Sequence, residues 1–263
     1  MQQILFEQQD GKGENSPLIL HIPHASQHIP KECAASFLLP PQELRDELLR
    51  MTDHFTDELF TCQTATRICY PVSRLVLDVE RFANDEQEHM SQIGMGVIYT
   101  KSSHLTELRT PPTPQEREYL LSRYYYPHHE QVQKSCEDAL TQHQHCLIID
   151  CHSFPTQSLP YERQIHGELH RPQICIGSDD YHTSSALLEN CVQSFRKRGY
   201  EVAINTPFAG ALVPMKYYQK NAAVQSLMIE LRRDLYMDEE TGDKNAHFTS
   251  LQTDIRDILR ELI

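Results

Sequence analysis

The sequence predicts an α/β fold, with a largely parallel sheet covered by helices on both faces. Two observations carry this. Short runs of branched apolar residues recur along the chain, most of them with a polar residue at or near the end, where a strand would give way to a loop. Between them lie longer segments with apolar residues three and four apart, some bounded by helix-capping residues. A strand-helix alternation of this kind favours parallel pairing, because the helix carries the chain back to the starting edge of the sheet.

The elements follow in order. Ser16 to Pro23, with Leu18-Ile19-Leu20, reads as a short buried strand that Pro23 ends, since proline has no amide hydrogen for a ladder; its end presents His24. Pro40-Pro41 opens a helical stretch with Leu44, Leu48, Met51, Phe55 and Leu59 at helical spacing, with room for a break near Thr52-Asp53. Leu75 to Val79 is short and rich in branched residues, which predicts another strand, with Arg81 just past it. Thr113, Pro114 and Glu116 form a capping-box pattern that starts a helix running to about Gln144, kinked where Pro127 lacks a donor. Cys146 to Asp150 is a strand leading into Cys151-His152-Ser153. Ile174 to Gly177 is a further strand, and a helix from about Ser184 to Arg198 follows it, with Gly199 placed for a left-handed turn. Glu201 to Ile204 and Ser226 to Leu231 complete the strands, and Thr249 with Gln252 suits the cap of a last helix through Leu262.

No Gly/Ser tract, charge run or internal repeat divides the 263 residues, so one domain over residues 1–263 is expected. A formal net charge of −13 and a pI near 5.5 argue against nucleic acid as a partner, which calls for a basic stripe. The opening MQQILFEQQDGKGENSP lacks the basic start and apolar core of a secretory signal, and no segment has the apolar length of a membrane span. A cytoplasmic protein that binds no membrane is expected. Eight cysteines without CxxC pairs then read as buried small apolar residues with no disulfides, and Cys151 as a strand residue rather than a nucleophile.

Ligands of such sheets bind beyond the carboxyl ends of the strands. His24, Arg81, His152, Asn205 and Glu230 fall at or near those ends. With fifteen histidines, pairings by chance are easy, and His21, His28, His128, His129, His143 and His145 have no context that sets them apart. His24 and His152 differ because each follows a short apolar strand that can hold an imidazole rigidly. A catalytic zinc takes histidines plus a carboxylate and leaves a position open, and Asp53 is the carboxylate chosen here; Asp53 as a helix cap, and His54 or Asp57 as the ligand, stay open. Manganese, iron or cobalt would suit the same donors. Glu230 lies within the apolar Ser226–Leu231 run, where a carboxyl group either serves as a general base with a raised pKa or faces solvent at a sheet edge. Arg74, Arg81 and Arg109 could grip a substrate carboxylate with two guanidinium prongs, or pair with surface acids.

Together these segments resemble the N-formylglutamate amidohydrolase family over nearly the whole chain. The residues that carry the resemblance are Pro23-His24-Ala25-Ser26 with Ile29-Pro30, Thr52-Asp53, Ser73-Arg74, Asp78-Val79-Glu80-Arg81, Asp150-Cys151-His152-Ser153, Asn205 to Gly210, and Gln225 to Asp238. The resemblance implies a three-layer fold similar to zinc carboxypeptidases and aspartoacylase, with a mixed, mostly parallel sheet between helices. It implies one zinc ion on His24, Asp53 and His152, a water as the remaining ligand, and Glu230 as the base. Arg81 would meet the scissile carbonyl or a substrate carboxylate, Asn205 would orient the substrate, and Ser153 need not be a nucleophile. The implied substrate is a small acidic N-acyl amino acid such as N-formyl-L-glutamate. The chain departs from the family at Glu80, where an asparagine is frequent, and at Arg232-Arg233, where Asn-Arg is frequent. The competing expectations are a carboxypeptidase-like or aspartoacylase-like amidase, and a metal- or ligand-binding protein without turnover.

Overall fold

The computed structural model describes residues 16–263, so nearly all of the amino-terminal segment read above lies outside the described residues. Six strands form one sheet: β1 (Leu18–Ile22), β2 (Thr66–Cys69), β3 (Cys146–Phe154), β4 (Ile174–Gly177), β5 (Val202–Ile204) and β6 (Val224–Arg232). Their spatial order is β2-β1-β3-β6-β4-β5. Every neighbouring pair is parallel except β4 with β6, which run antiparallel, so the sheet is mixed and mostly parallel.

The helices are α1 (Lys31–Ala34), α2 (Pro41–Met51), α3 (Thr56–Leu59), α4 (Pro114–Leu120), α5 (Tyr126–His143), α6 (Pro160–His166), α7 (Ser185–Lys197) and α8 (Phe248–Glu261). They make the outer two layers of a three-layer α/β fold. On one side Val132, Cys136 and Ala139 of α5 pack against Ile19, Ile68 and Ile148. On the other, Cys191, Val192 and Phe195 of α7 and Leu251, Ile255, Ile258 and Leu259 of α8 pack with Ile149, Leu227, Ile229 and Leu231.

Local chemistry explains the elements that matter most for the site. Helix α2 ends at Met51, Thr52 turns to extended backbone, and Phe55 adopts a left-handed φ of 62°, so the break near Thr52-Asp53 is real and sets Asp53 in the gap between two helices. The Thr113 hydroxyl accepts from the Glu116 amide while the Glu116 carboxylate accepts from the Thr113 amide, the reciprocal cap read from the sequence. Between α4 and α5 the chain widens into a π-helical turn, Leu121–Tyr125, immediately before Pro127, whose missing amide hydrogen leaves a normal ladder incomplete there.

Three expectations are corrected. Leu75 to Val79 is not a strand but a buried turn: Val76, Leu77 and Val79 are covered by Val72, Val97, Ile98 and Tyr124, so their apolar character reflects burial in a loop rather than a ladder. The strand at one edge of the sheet is β2 instead, whose Thr-Arg-Ile-Cys has too little apolar pattern to stand out. The last helix begins at Phe248 with His247 before it, so Thr249 and Gln252 lie inside the helix and do not cap it.

Candidate metal centre and its cleft

The parallel pairing of β1, β3 and β6 brings three carboxyl ends to one rim. His24 lies just past β1, while His152 on β3 sits directly opposite Glu230 on β6, so register alone makes the two neighbours on one face of the sheet. Asp53 is delivered by the gap between α2 and α3, where its amide donates to the His24 carbonyl at 2.9 Å. Ligand atoms of His24, Asp53 and His152 lie within 4.8 Å of one another, and all three residues are buried.

Hydrogen bonds behind the imidazoles decide which nitrogen faces the centre. His24 Nε2 donates to Asp78 Oδ1 at 2.9 Å, which directs Nδ1 at the centre, 3.7 Å from Asp53 Oδ2 and without a hydrogen-bond partner among the described residues. His152 Nε2 donates to Glu80 Oε1 at 3.2 Å with Asp150 Oδ1 also 3.1 Å away, and its Nδ1 is 3.0 Å from Asp53 Oδ2. Behind Asp150 the buried chain continues: His21 Nδ1 donates to Asp150 Oδ1 at 2.7 Å, and His21 Nε2 meets His128 Nε2 at 2.8 Å. Burial, helped by His21, holds the His128 imidazole well below its usual pKa, so it stays neutral and donates to His21. Carboxylate-backed imidazoles of this kind are the usual outer support of a metal ligand.

Electrostatics point the same way. Burial would raise the Asp78 and Asp150 pKa values, but Arg74 and His24 at the first, and His152 and His21 at the second, hold both well below the usual carboxylate range. Burial and Arg74 oppose charge on His24, yet Asp78 and Asp53 outweigh them and raise its pKa; at His152 burial is overcome by Glu80 and Asp150. The centre is therefore a buried anionic pocket that attracts positive charge, and a divalent cation competes with protons for the same imidazole lone pairs. Two histidines, a carboxylate and a partnerless Nδ1 fit a small divalent transition metal.

Asp53 is pinned from behind by Arg233, whose NH2 reaches Oδ1 at 3.2 Å, whose NH1 donates to the Arg50 carbonyl and whose Nε donates to Ser153 Oγ. Glu230 is buried, its Oε2 has no hydrogen-bond partner among the described residues, and burial together with Asp53 and Glu80 pushes its pKa up to about 8. The Arg81 guanidinium meets Asp78 only at 3.8 Å and points into the cleft, whereas Arg74 is tied to Asp78 Oδ2 at 2.8 Å. The cleft has a volume of about 1010 Å³, and its wall includes Tyr125, Tyr126, Tyr161, Phe208, Met215 and Tyr218.

Not every expected residue comes to the cleft. Arg109 is buried elsewhere, donating to the Val76 carbonyl and Ser36 Oγ with its guanidinium over the Phe37 ring, so it fastens the loop that carries Asp78. Asn205 lies beside the cleft, where its amide holds the Ser178 amide and hydroxyl and shapes the turn before Pro207. Of the alternative ligands, His54 turns away to the Leu49 carbonyl, and Asp57 is exposed. Cys151 points to the apolar side of the sheet, and burial drives its thiol well above the ordinary range. All eight cysteines are free thiols. Sequence reasoning gave Asp78, Asp150 and Arg233 only as motif members and His21 and His128 no role; the signal available was a charged or imidazole group within or beside an apolar run.

A family model described as N-formylglutamate amidohydrolase matches residues 16–237. The chain belongs to this family. Membership of the N-formylglutamate amidohydrolases makes it a hydrolase of a linear amide bond. In fold it is similar to a crystal structure of N-formylglutamate amidohydrolase from Ralstonia eutropha JMP134, with a TM-score of 0.82 and 24% identity over 95% of this chain and 94% of that one. It is also similar to the crystal structure of a gene product of Agrobacterium tumefaciens, with a TM-score of 0.63 and 21% identity over 95% and 91% of the two chains. No curated protein sequence matches. No helix among the described residues is long and apolar enough to cross a membrane.

Proposed function

We propose that this member of the N-formylglutamate amidohydrolases is a zinc-dependent enzyme of one domain that hydrolyses the amide of a small N-acyl acidic amino acid, N-formyl-L-glutamate being the reference substrate. The observation that carries the reading is the convergence of His24, Asp53 and His152 beside Glu230, whose buried Oε2 has no hydrogen-bond partner among the described residues, at the floor of one cleft. When bound, a divalent cation on these donors supplies Lewis-acid polarisation and lowers the pKa of a nearby water.

The chain's own residues do the rest. Glu230 takes the proton of the attacking water as oxygen adds to the acyl carbon, then gives it to the nitrogen as the C–N bond breaks, releasing the acid and the free amino acid. Burial with Asp53 and Glu80 pushes the Glu230 pKa up to about 8, which suits a group that must take a proton and give it back. Arg81 offers its guanidinium to the developing oxyanion or to a substrate carboxylate, and Asp78 keeps it in place. Eight free thiols suit the reducing cytoplasm.

The direct test measures formate and glutamate from N-formyl-L-glutamate, before and after chelation and after zinc is restored. Unchanged turnover on thorough chelation, with chain-bound metal shown to be gone, refutes the metal-dependent reading. The width of the cleft favours a second reading, an amidase for a bulkier N-acyl group or a dipeptide on the same centre. A panel of N-formyl, N-acetyl and longer N-acyl amino acids beside dipeptides separates the two by kcat/KM.

A further inference from the structure

We infer that Tyr161 is a substrate-binding residue whose hydroxyl works beside the Arg81 guanidinium to hold a carboxylate of the N-acyl amino acid, a role that rests on the function proposed above. The tyrosines of the cleft wall are not alike. Tyr125 donates its hydroxyl to the Arg81 carbonyl, the Tyr218 hydroxyl meets the Gln219 amide, and Tyr126 is exposed. Tyr161 is half-buried, and its hydroxyl has no hydrogen-bond partner among the described residues. Its amide donates to the Ser103 carbonyl at 3.3 Å, and the buried Glu47 carboxylate holds Ser103 through both amide and hydroxyl. The ring packs against the cluster of Met51, Leu75, Met95 and Tyr99. Tyr99 in turn donates its hydroxyl to Asp78 Oδ2, the same oxygen that faces Arg74 and Arg81. A phenol fixed in this way has little freedom left to lose when it binds.

The two donors complement each other. Arg81 brings charge, and its buried Nε has no hydrogen-bond partner among the described residues. Burial, foremost, with Glu162 raises the Tyr161 pKa well above the ordinary range against the pull of Arg74 and Arg81, so the phenol keeps its proton and donates at neutral pH. A carboxylate has two oxygens, enough lone pairs for a guanidinium edge and a phenol together. The developing oxyanion, by contrast, is a single atom beside the metal centre. A site that holds a substrate group with a buried donor also rejects analogues lacking that group, because the donor is then left unpaired.

The experiment compares wild type with Tyr161→Phe, which removes only the hydroxyl, on N-formyl-L-glutamate and on its α-amide and γ-amide. On N-formyl-L-glutamate the expected result is a KM raised about 10–100-fold with kcat within about threefold of wild type, the size of one hydrogen bond to a charged group. On at least one monoamide, the one lacking the carboxylate that is held, the two proteins should agree in kcat/KM within about threefold. Melting temperature and zinc affinity should not change. An unchanged KM overturns the inference. So does a lower kcat at constant KM, which puts the hydroxyl on the reacting carbonyl, and so does a loss that persists undiminished on both monoamides, which a structural role would give. Should wild type hydrolyse none of the three, the proposed function and this inference fail together; wild-type turnover with an insensitive variant removes Tyr161 alone.

Discussion

The two faces of one sheet are built for opposite ends. Along β3, Ile149 and Cys151 point to the side covered by α7 and α8, where a large apolar cluster closes over them, while Asp150 and His152 point to the other side and join His21, His128 and Asp53. The alternation of a strand makes this possible, because successive residues face opposite ways. The apolar face supplies stability from area removed from water. On the other face, apolar packing under α5 gives way toward the strand ends to a polar cluster that costs desolvation and holds together because its carboxylates and imidazoles pair with one another and with Arg74 and Arg233. A strand that serves both purposes lets a rigid core fix catalytic groups with little freedom.

Substitutions on the two faces should therefore separate activity from stability. The largest effect is expected from Glu230→Gln, a loss of about 10²–10⁴-fold in kcat with the melting temperature held or raised, since a buried carboxyl at odds with its surroundings is neutralised. Steady-state rates beside thermal unfolding check this, and a variant within a few-fold of wild type breaks the assignment of the base. On the other face, Leu227→Ala should cost about 2–5 kcal/mol of stability and leave zinc affinity unchanged, because Leu227 packs only in the apolar cluster. Denaturant unfolding beside metal titration decides it.

Asp78→Asn probes the support behind His24 and should weaken metal binding about 10–100-fold, read by chelator competition; an amide still reaches Nε2 but no longer fixes which nitrogen keeps its proton. The pH dependence of binding sharpens the same point. The raised pKa values of His24 and His152 mean that a cation must displace protons, so affinity should fall as pH drops through that range and protons should be released on binding. Metal titrations in buffers of different ionisation enthalpy would reveal the protons, and binding insensitive to pH between 6 and 8 would contradict the two-imidazole site. The smallest effect belongs to a place remote from both faces: Thr113→Ala removes a capping hydroxyl and should cost about 1 kcal/mol with unchanged kcat/KM.

Much of this architecture was legible residue by residue. The apolar strands ending near His24 and His152, the Thr113 cap and the break ahead of Asp53 are local events, governed by side-chain pattern, proline and capping chemistry within a few neighbours. Partnership was not legible in the same way. Arg109 and Asn205 carry the same guanidinium and amide as a substrate contact would, and only the packed molecule shows them committed to Val76, Ser36 and Ser178. Likewise Leu75 to Val79 has the composition of a strand but no neighbour for a ladder, so burial claimed it as a loop. The sequence by itself determined five of the six strands, where α2, α4 and α7 start and which few side chains stand at strand ends, because those depend on near neighbours. Register and crossover decided the rest: that His152 lies beside Glu230 and that Asp78 and Asp150 stand behind the imidazoles are relations between residues far apart in the chain, set only when the sheet closes.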